Sequence, residues 1–271
     1  EKFMSELESV MAGFDDPTLF DVSPDYSAVY HRFLEMELSD RPAIRGQLEG
    51  PVSFGFNVAD ENDRPILFND TVRPFMFEFM ARRVNVQLER LKEKNPNAFM
   101  FVDEPGLQFL FSALSGYGDV QAKADMEYFF SMIERPRGVH LCGNPDWDFL
   151  LNLDMDILSM DIYTNRDVFA AYSAGIKRFL EKGGILSWGI VPTNIEPYEK
   201  ESLDSLREQL ESVWQTLYSK GIDRDQLLSQ SLISPATCCL VNPDFEKTVE
   251  KGFQTVKRLS ETLREAYGLI A

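Results

Sequence analysis

The sequence predicts an α/β fold of the (β/α)8 barrel type, on three observations. Apolar runs of strand length alternate with segments of helical spacing some six times along 271 residues, with no break in composition. The apolar runs end in residues able to do chemistry or bind: Asp103-Glu104, His140 and Cys142, Asp161, Trp188, and Cys238-Cys239. A barrel gathers the carboxyl ends of its strands at one mouth, where such residues meet. No GxGxxG or GxxxxGK(S/T) loop opens a helix, which lowers the alternative of a doubly wound nucleotide-binding sheet.

The elements follow in order. Residues 43–56, "AIRGQLEGPVSFGF", begin as a strand that breaks at Gly50-Pro51. Residues 73–94 have helical spacing and a basic last turn, suited to a helix carboxyl terminus. "AFMFVDEPG" (98–106) is a short apolar strand ending in two carboxylates, and residues 119–135 are helical. "GVHLCGN" (138–144) is a strand, and Asn144-Pro145 opens the next helix as cap and first helical residue. "MDILSMDIY" (155–163) is a strand, followed by a helix closed by Gly183-Gly184. Residues 184–193 form a strand, 199–221 an amphipathic helix, 227–240 the last strand and 244–268 the last helix. Six strands are legible. The first 40 residues read as loop and helix, so the barrel's first strand is expected to be missing or disguised.

Length and composition suit one barrel domain spanning residues 1–271, with 44% hydrophobic and 26% charged residues. No apolar run approaches the roughly 20 residues of a membrane span, and the first residues lack a signal-peptide pattern, so a cytoplasmic protein is expected. The net charge of −17 argues against nucleic acid or an anionic membrane as partner, since both need positive charge. Three cysteines, two of them adjacent, make no disulfide framework and leave thiols free for metal or catalysis.

The chemistry begins at Val139-His140-Leu141-Cys142. Residues i and i+2 of a strand point to one face, so His140 and Cys142 project together, an imidazole and a thiolate suited to zinc. A lone cysteine is more often a small buried hydrophobe. All three here lie at strand ends, which favours a metal set of His140, Cys142 and one of Cys238 or Cys239. Asp161 is either a loop aspartate or an oxygen ligand completing that set. Asp103 and Glu104 either cap a loop or serve at the mouth as acid and base, or as anchor for a substrate amine. His31, within "YSAVYHRFLEME", reads as a structural or surface histidine.

The motifs "GQLEGPVSFGF", "FVDEPGL", "VHLCGNPDWDFLL", "DILSMDIY", "GGILSWGIVPT" and "SLISPATCCL" resemble, in this order, the uroporphyrinogen decarboxylase / cobalamin-independent methionine synthase superfamily. The likeness runs from about residue 43 to 240 and is greatest to short, single-barrel proteins similar to the catalytic half of methionine synthase. It implies a zinc-dependent methyltransferase with His140, Cys142, Asp161 and Cys238 as metal ligands, and Cys239 as the alternative cysteine. It implies catalytic roles for Asp103 and Glu104, and substrate contacts from Gly50, Ser53, Asp103 and Trp188. The thiol would be homocysteine or coenzyme M. The methyl would come from a methyl-tetrahydrofolate or a methyl-cobamide, the latter often carried on a corrinoid protein.

The sequence departs from the family in three places. The amino-terminal Ile-Gly-Ser segment is not found, an aspartate stands at 161 where the family has glutamate, and Cys239 takes the place of a glycine. Two other readings compete: a metal-free decarboxylase-like member of the superfamily, and a degenerate barrel that binds a corrinoid protein. The decarboxylase branch carries an arginine-rich amino-terminal signature that is absent here.

Overall fold

The computed structural model describes residues 2–110, 116–238 and 242–269. The chain divides into two compact units, one of residues 1–103 and 120–137, the other of 104–119 and 138–271. Among the described residues no helix is long and apolar enough to cross a membrane.

The first unit opens with helices α1 (Lys2–Met11) and α2 (Ala28–Leu34), followed by strand β1 (Ile44–Glu49), α3 (Pro51–Asn57), α4 (Val72–Lys92), β2 (Ala98–Asp103) and α5 (Asp119–Met132). Strands β1 and β2 pair in parallel from Ile44 opposite Ala98 to Glu49 opposite Asp103. Pro51 ends β1 because it cannot donate to a ladder, and its fixed φ suits the first turn of α3. Helix α4 buries Met76, Phe77, Ala81, Val84, Leu88 and Leu91, spaced at the three and four residues of one helical face. Phe14 and Phe20 meet edge to face at 5.1 Å, and the Arg82 guanidinium lies over both rings.

The second unit runs β3 (Arg137–Leu141), α6 (Trp147–Leu151), β4 (Ile157–Asp161), α7 (Ile162–Ala171), α8 (Ser173–Glu181), β5 (Ile185–Val191), α9 (Ile195–Tyr198), α10 (Leu203–Ser219), α11 (Arg224–Ser229), β6 (Ser231–Pro235) and α12 (Lys247–Ala266). Its strands pair in parallel, β3 with β4, β4 with β5 and β5 with β6. Every residue of β4 is buried, as a parallel strand covered on both faces requires. An edge-to-face column of Trp147, Phe169, Trp188 and Trp214, with neighbouring rings 5.0–6.2 Å apart, fills its core. Helix α10 adds Leu206, Leu210, Val213, Trp214 and Leu217 from one face, behind a reciprocal cap between Ser202 and Ser205. Gly189 stands at a register shift between β5 and β6, where a Cβ would lie 2.4 Å from the Met160 carbonyl oxygen. Only glycine fits there.

The expectation of an eight-stranded barrel is overturned. The described residues hold six parallel strands, two in the first unit and four in the second. No first strand is disguised in the described residues before Ile44. They form α1, a single 3-10 turn at Pro17–Phe20 capped by Asp16, and α2, with turn residues between them. Two boundaries also shift for local reasons. The helix read through residues 166–184 is two helices, broken at Tyr172, whose backbone (φ −84°, ψ 28°) leaves the helical region. The strand expected from residue 227 starts at Ser231, because Asp223 caps a short helix, α11, that takes up Leu227 and Leu228.

Candidate metal centre

His140 lies near the end of β3 and Cys142 just beyond it, so the strand's alternation carries both side chains to one face. In register, His140 pairs with Ser159 of β4. Its Nδ1 is 3.0 Å from the Ser159 hydroxyl oxygen, and both residues are buried. That contact turns Nε2 toward Cys238, whose sulfur is 3.6 Å away.

Cys238 reaches this point on the loop after β6, and three contacts fix that loop. The Ala236 amide donates to the Val191 carbonyl at 2.8 Å, continuing the β5–β6 ladder past Pro235. The Thr193 hydroxyl donates to the Cys238 carbonyl at 3.4 Å and stands 3.2 Å from the Thr237 hydroxyl. Buried Asn242 holds Thr193 in turn, donating to its carbonyl at 2.9 Å and accepting from the Ile195 amide at 2.9 Å.

The three donor atoms, His140 nitrogen and the sulfurs of Cys142 and Cys238, lie within 4.8 Å of one another. Atoms bonded to one tetrahedral zinc at about 2.0–2.3 Å stand about 3.3–3.8 Å apart. The 3.6 Å between Cys238 and His140 falls in that range. The Cys142 thiol is held down to about 4, first by its contact with the Cys238 thiol, then by His140, against the opposing effect of burial. A thiol so depressed is a thiolate at neutral pH, the form that binds metal. The cluster could hold a metal ion.

The other candidate residues take different places. Asp161 is buried at the end of β4 and caps α7, accepting from the Thr164 amide at 3.0 Å with one oxygen and from the Thr164 hydroxyl with the other. Burial raises its carboxyl above the usual range despite these bonds, and the nearby Cys142 charge raises it further. It is not one of the three converging donors. Trp188 is fully buried between Phe169 and Trp214 and donates its indole N–H to the Ser231 hydroxyl at 2.8 Å. It sits opposite Met160, one residue out of step with the row of His140 and Ser159, and serves the core. Glu104 is fully buried, and its amide donates to the His140 carbonyl at 2.9 Å, anchoring the backbone beneath the histidine.

Asp103 belongs to the first unit, where its carboxylate accepts from the Gln47 side chain and its carbonyl from the Gly50 amide. Gly50 and Ser53 lie in that unit too, Gly50 capping α3 and Ser53 buried within it. Cys239, the alternative cysteine, falls outside the described residues. His31 has a structural contact, its Nε2 2.6 Å from the Val22 carbonyl oxygen.

Ser159, Thr193 and Asn242 went unnoticed in the sequence. For Ser159 a signal exists: it lies two residues before Asp161, on the same strand face, as a small polar residue inside an apolar run. Thr193 and Asn242 carry no such mark, since turns commonly contain both residue types. No protein-family model matches the sequence, and no curated protein matches it.

Proposed function

We propose that the chain is a zinc-dependent methyltransferase that moves a methyl group from a methyl-cobamide or methyl-tetrahydrofolate to a small thiol such as homocysteine or coenzyme M. The observation that carries this reading is the meeting of His140, Cys142 and Cys238, donors almost a hundred residues apart brought within 4.8 Å. A nitrogen and two sulfurs suit zinc, and three donors among the described residues match a catalytic site that keeps one position for the substrate. The sequence resemblance supplies the reaction class, and the reading rests on the second unit alone. When bound, zinc lowers the pKa of a thiol at the open position, which is otherwise about 8.5 and mostly protonated at neutral pH.

The residues of this chain supply the rest. β3 presents His140 and Cys142 together, the Thr193–Asn242 contacts hold the loop of Cys238, and the Glu104 amide fixes the backbone at His140. In the transfer the substrate sulfur forms a bond to the methyl carbon. The carbon–cobalt or carbon–nitrogen bond breaks at the same time, its electron pair leaves with the donor as Co(I) or as the folate amine, and the thiol's proton goes to solvent or to that amine.

The test is zinc content after exhaustive dialysis, followed by transfer assays with homocysteine and coenzyme M against methylcobalamin and methyl-tetrahydrofolate. About one zinc per chain and an S-methylated product are expected, with both lost in Cys238→Ser. A chain that holds no zinc and methylates neither thiol from either donor overturns the reading.

A further inference from the structure

We propose that Ser159 is the positioning residue of the histidine ligand: its hydroxyl accepts from Nδ1–H of His140 and so presents an unprotonated Nε2 to the two thiols. The inference rests on the metal reading of the cluster and adds to it a determinant of affinity. A neutral imidazole carries one N–H, so a histidine that binds metal through Nε2 must carry its proton on Nδ1. In a buried site that N–H needs an acceptor, and the partner it finds fixes the ring's rotation as well as its tautomer.

Ser159 meets each requirement. It is 3% exposed, beside a histidine 8% exposed, with 3.0 Å between its oxygen and Nδ1. The β3–β4 register sets the two residues opposite each other, so backbone pairing brings their side chains together. The nearest buried carboxylate on that strand face, Asp161, is occupied at both oxygens by Thr164. The remaining imidazole nitrogen points at Cys238, 3.6 Å away. A serine also fits the space: Ser187 flanks Ser159 in register on β5, and both are buried.

The test is zinc affinity, measured by competition with a chromophoric chelator, for the unaltered chain and for Ser159→Ala, Ser159→Thr, His140→Ala and the double variant His140→Ala/Ser159→Ala. Ser159→Ala is expected to weaken zinc binding by about 10–100-fold. Ser159→Thr, which keeps the acceptor, should stay within about twofold of the unaltered chain. The double variant should bind as His140→Ala does, because an effect exerted through the imidazole vanishes with it, whereas a merely structural effect adds. Sulfur-to-cobalt charge-transfer bands in the Co2+-loaded Ser159→Ala protein should persist, showing both cysteines still bound. Should Ser159→Ala fail to fold by circular dichroism, Ser159→Gly, which likewise removes the acceptor, is expected to lose affinity in the same direction. Unchanged affinity in the variant that folds, or a loss that persists in the His140→Ala background, overturns the positioning role and leaves the metal reading standing. An unaltered chain that binds no zinc overturns both.

Discussion

The ends of β3 and β5 are alike in sequence and opposite in use. Each is an apolar run in the parallel sheet of the second unit, each carries a ring-bearing residue near its end, and each runs into a loop. His140 falls in the row of Ser159 and turns to the face where the donors gather. Trp188 pairs with Met160 in the next row and turns into the aromatic column of the core. A displacement of one residue in a strand exchanges its two faces. A place at a strand end therefore does not make a residue part of a site, and its register must also turn it to the site's face.

The largest expected effect comes from the donor side of this contrast. Cys142→Ser and Cys238→Ser should each abolish stoichiometric zinc, read by elemental analysis after gel filtration, while Cys239→Ala keeps it. Zinc lost with Cys239 and retained without Cys238 would move the ligand one residue along.

The core side comes next. Trp188→Ala should cost about 3–5 kcal/mol in chemical denaturation, the range for a large aromatic removed from a packed interior. Zinc stoichiometry should hold under native conditions. Loss of zinc from a Trp188→Phe protein of near-normal stability would erase the distinction between the two strand ends.

A third measurement probes the depressed Cys142 thiol in metal-free protein. Because its folded value, about 4, lies below the ordinary range, the thiolate is fully formed across pH 6–8. Iodoacetamide labelling of Cys142, followed by peptide mass spectrometry, should therefore be nearly flat over that interval. An ordinary thiol of pKa 8.5 would speed up by roughly 75-fold. His140→Ala and Cys238→Ser each remove a cause of the depression and should restore a rise with pH. A steep rise in the unaltered chain would show that the three groups do not interact.

The smallest effect belongs to Asp161. As the cap of α7, its replacement by alanine should cost about 1 kcal/mol of stability and leave zinc content unchanged. Zinc lost in Asp161→Asn, which preserves the cap, would make the carboxylate a fourth ligand and redraw the boundary of the site.

Local patterns of residues set the alternation of strands and helices, the break at Gly50-Pro51, and the shared face of His140 and Cys142. These follow from the two-residue period of a strand and from the backbone limits of proline and glycine, which act within a few residues. Tertiary structure decided the rest. The barrel's expected first strand is absent from the described residues before Ile44, which form helices and turns instead, a result that a pattern of polar strand ends does not reveal. Asp161 became a helix cap because α7 starts directly after β4, placing the Thr164 amide and hydroxyl within its reach. Cys238 came to His140, and Ser159 came beneath its ring, through pairings between strands distant in the chain. Such pairings are set by the packing of whole elements, and no short stretch of sequence contains both partners.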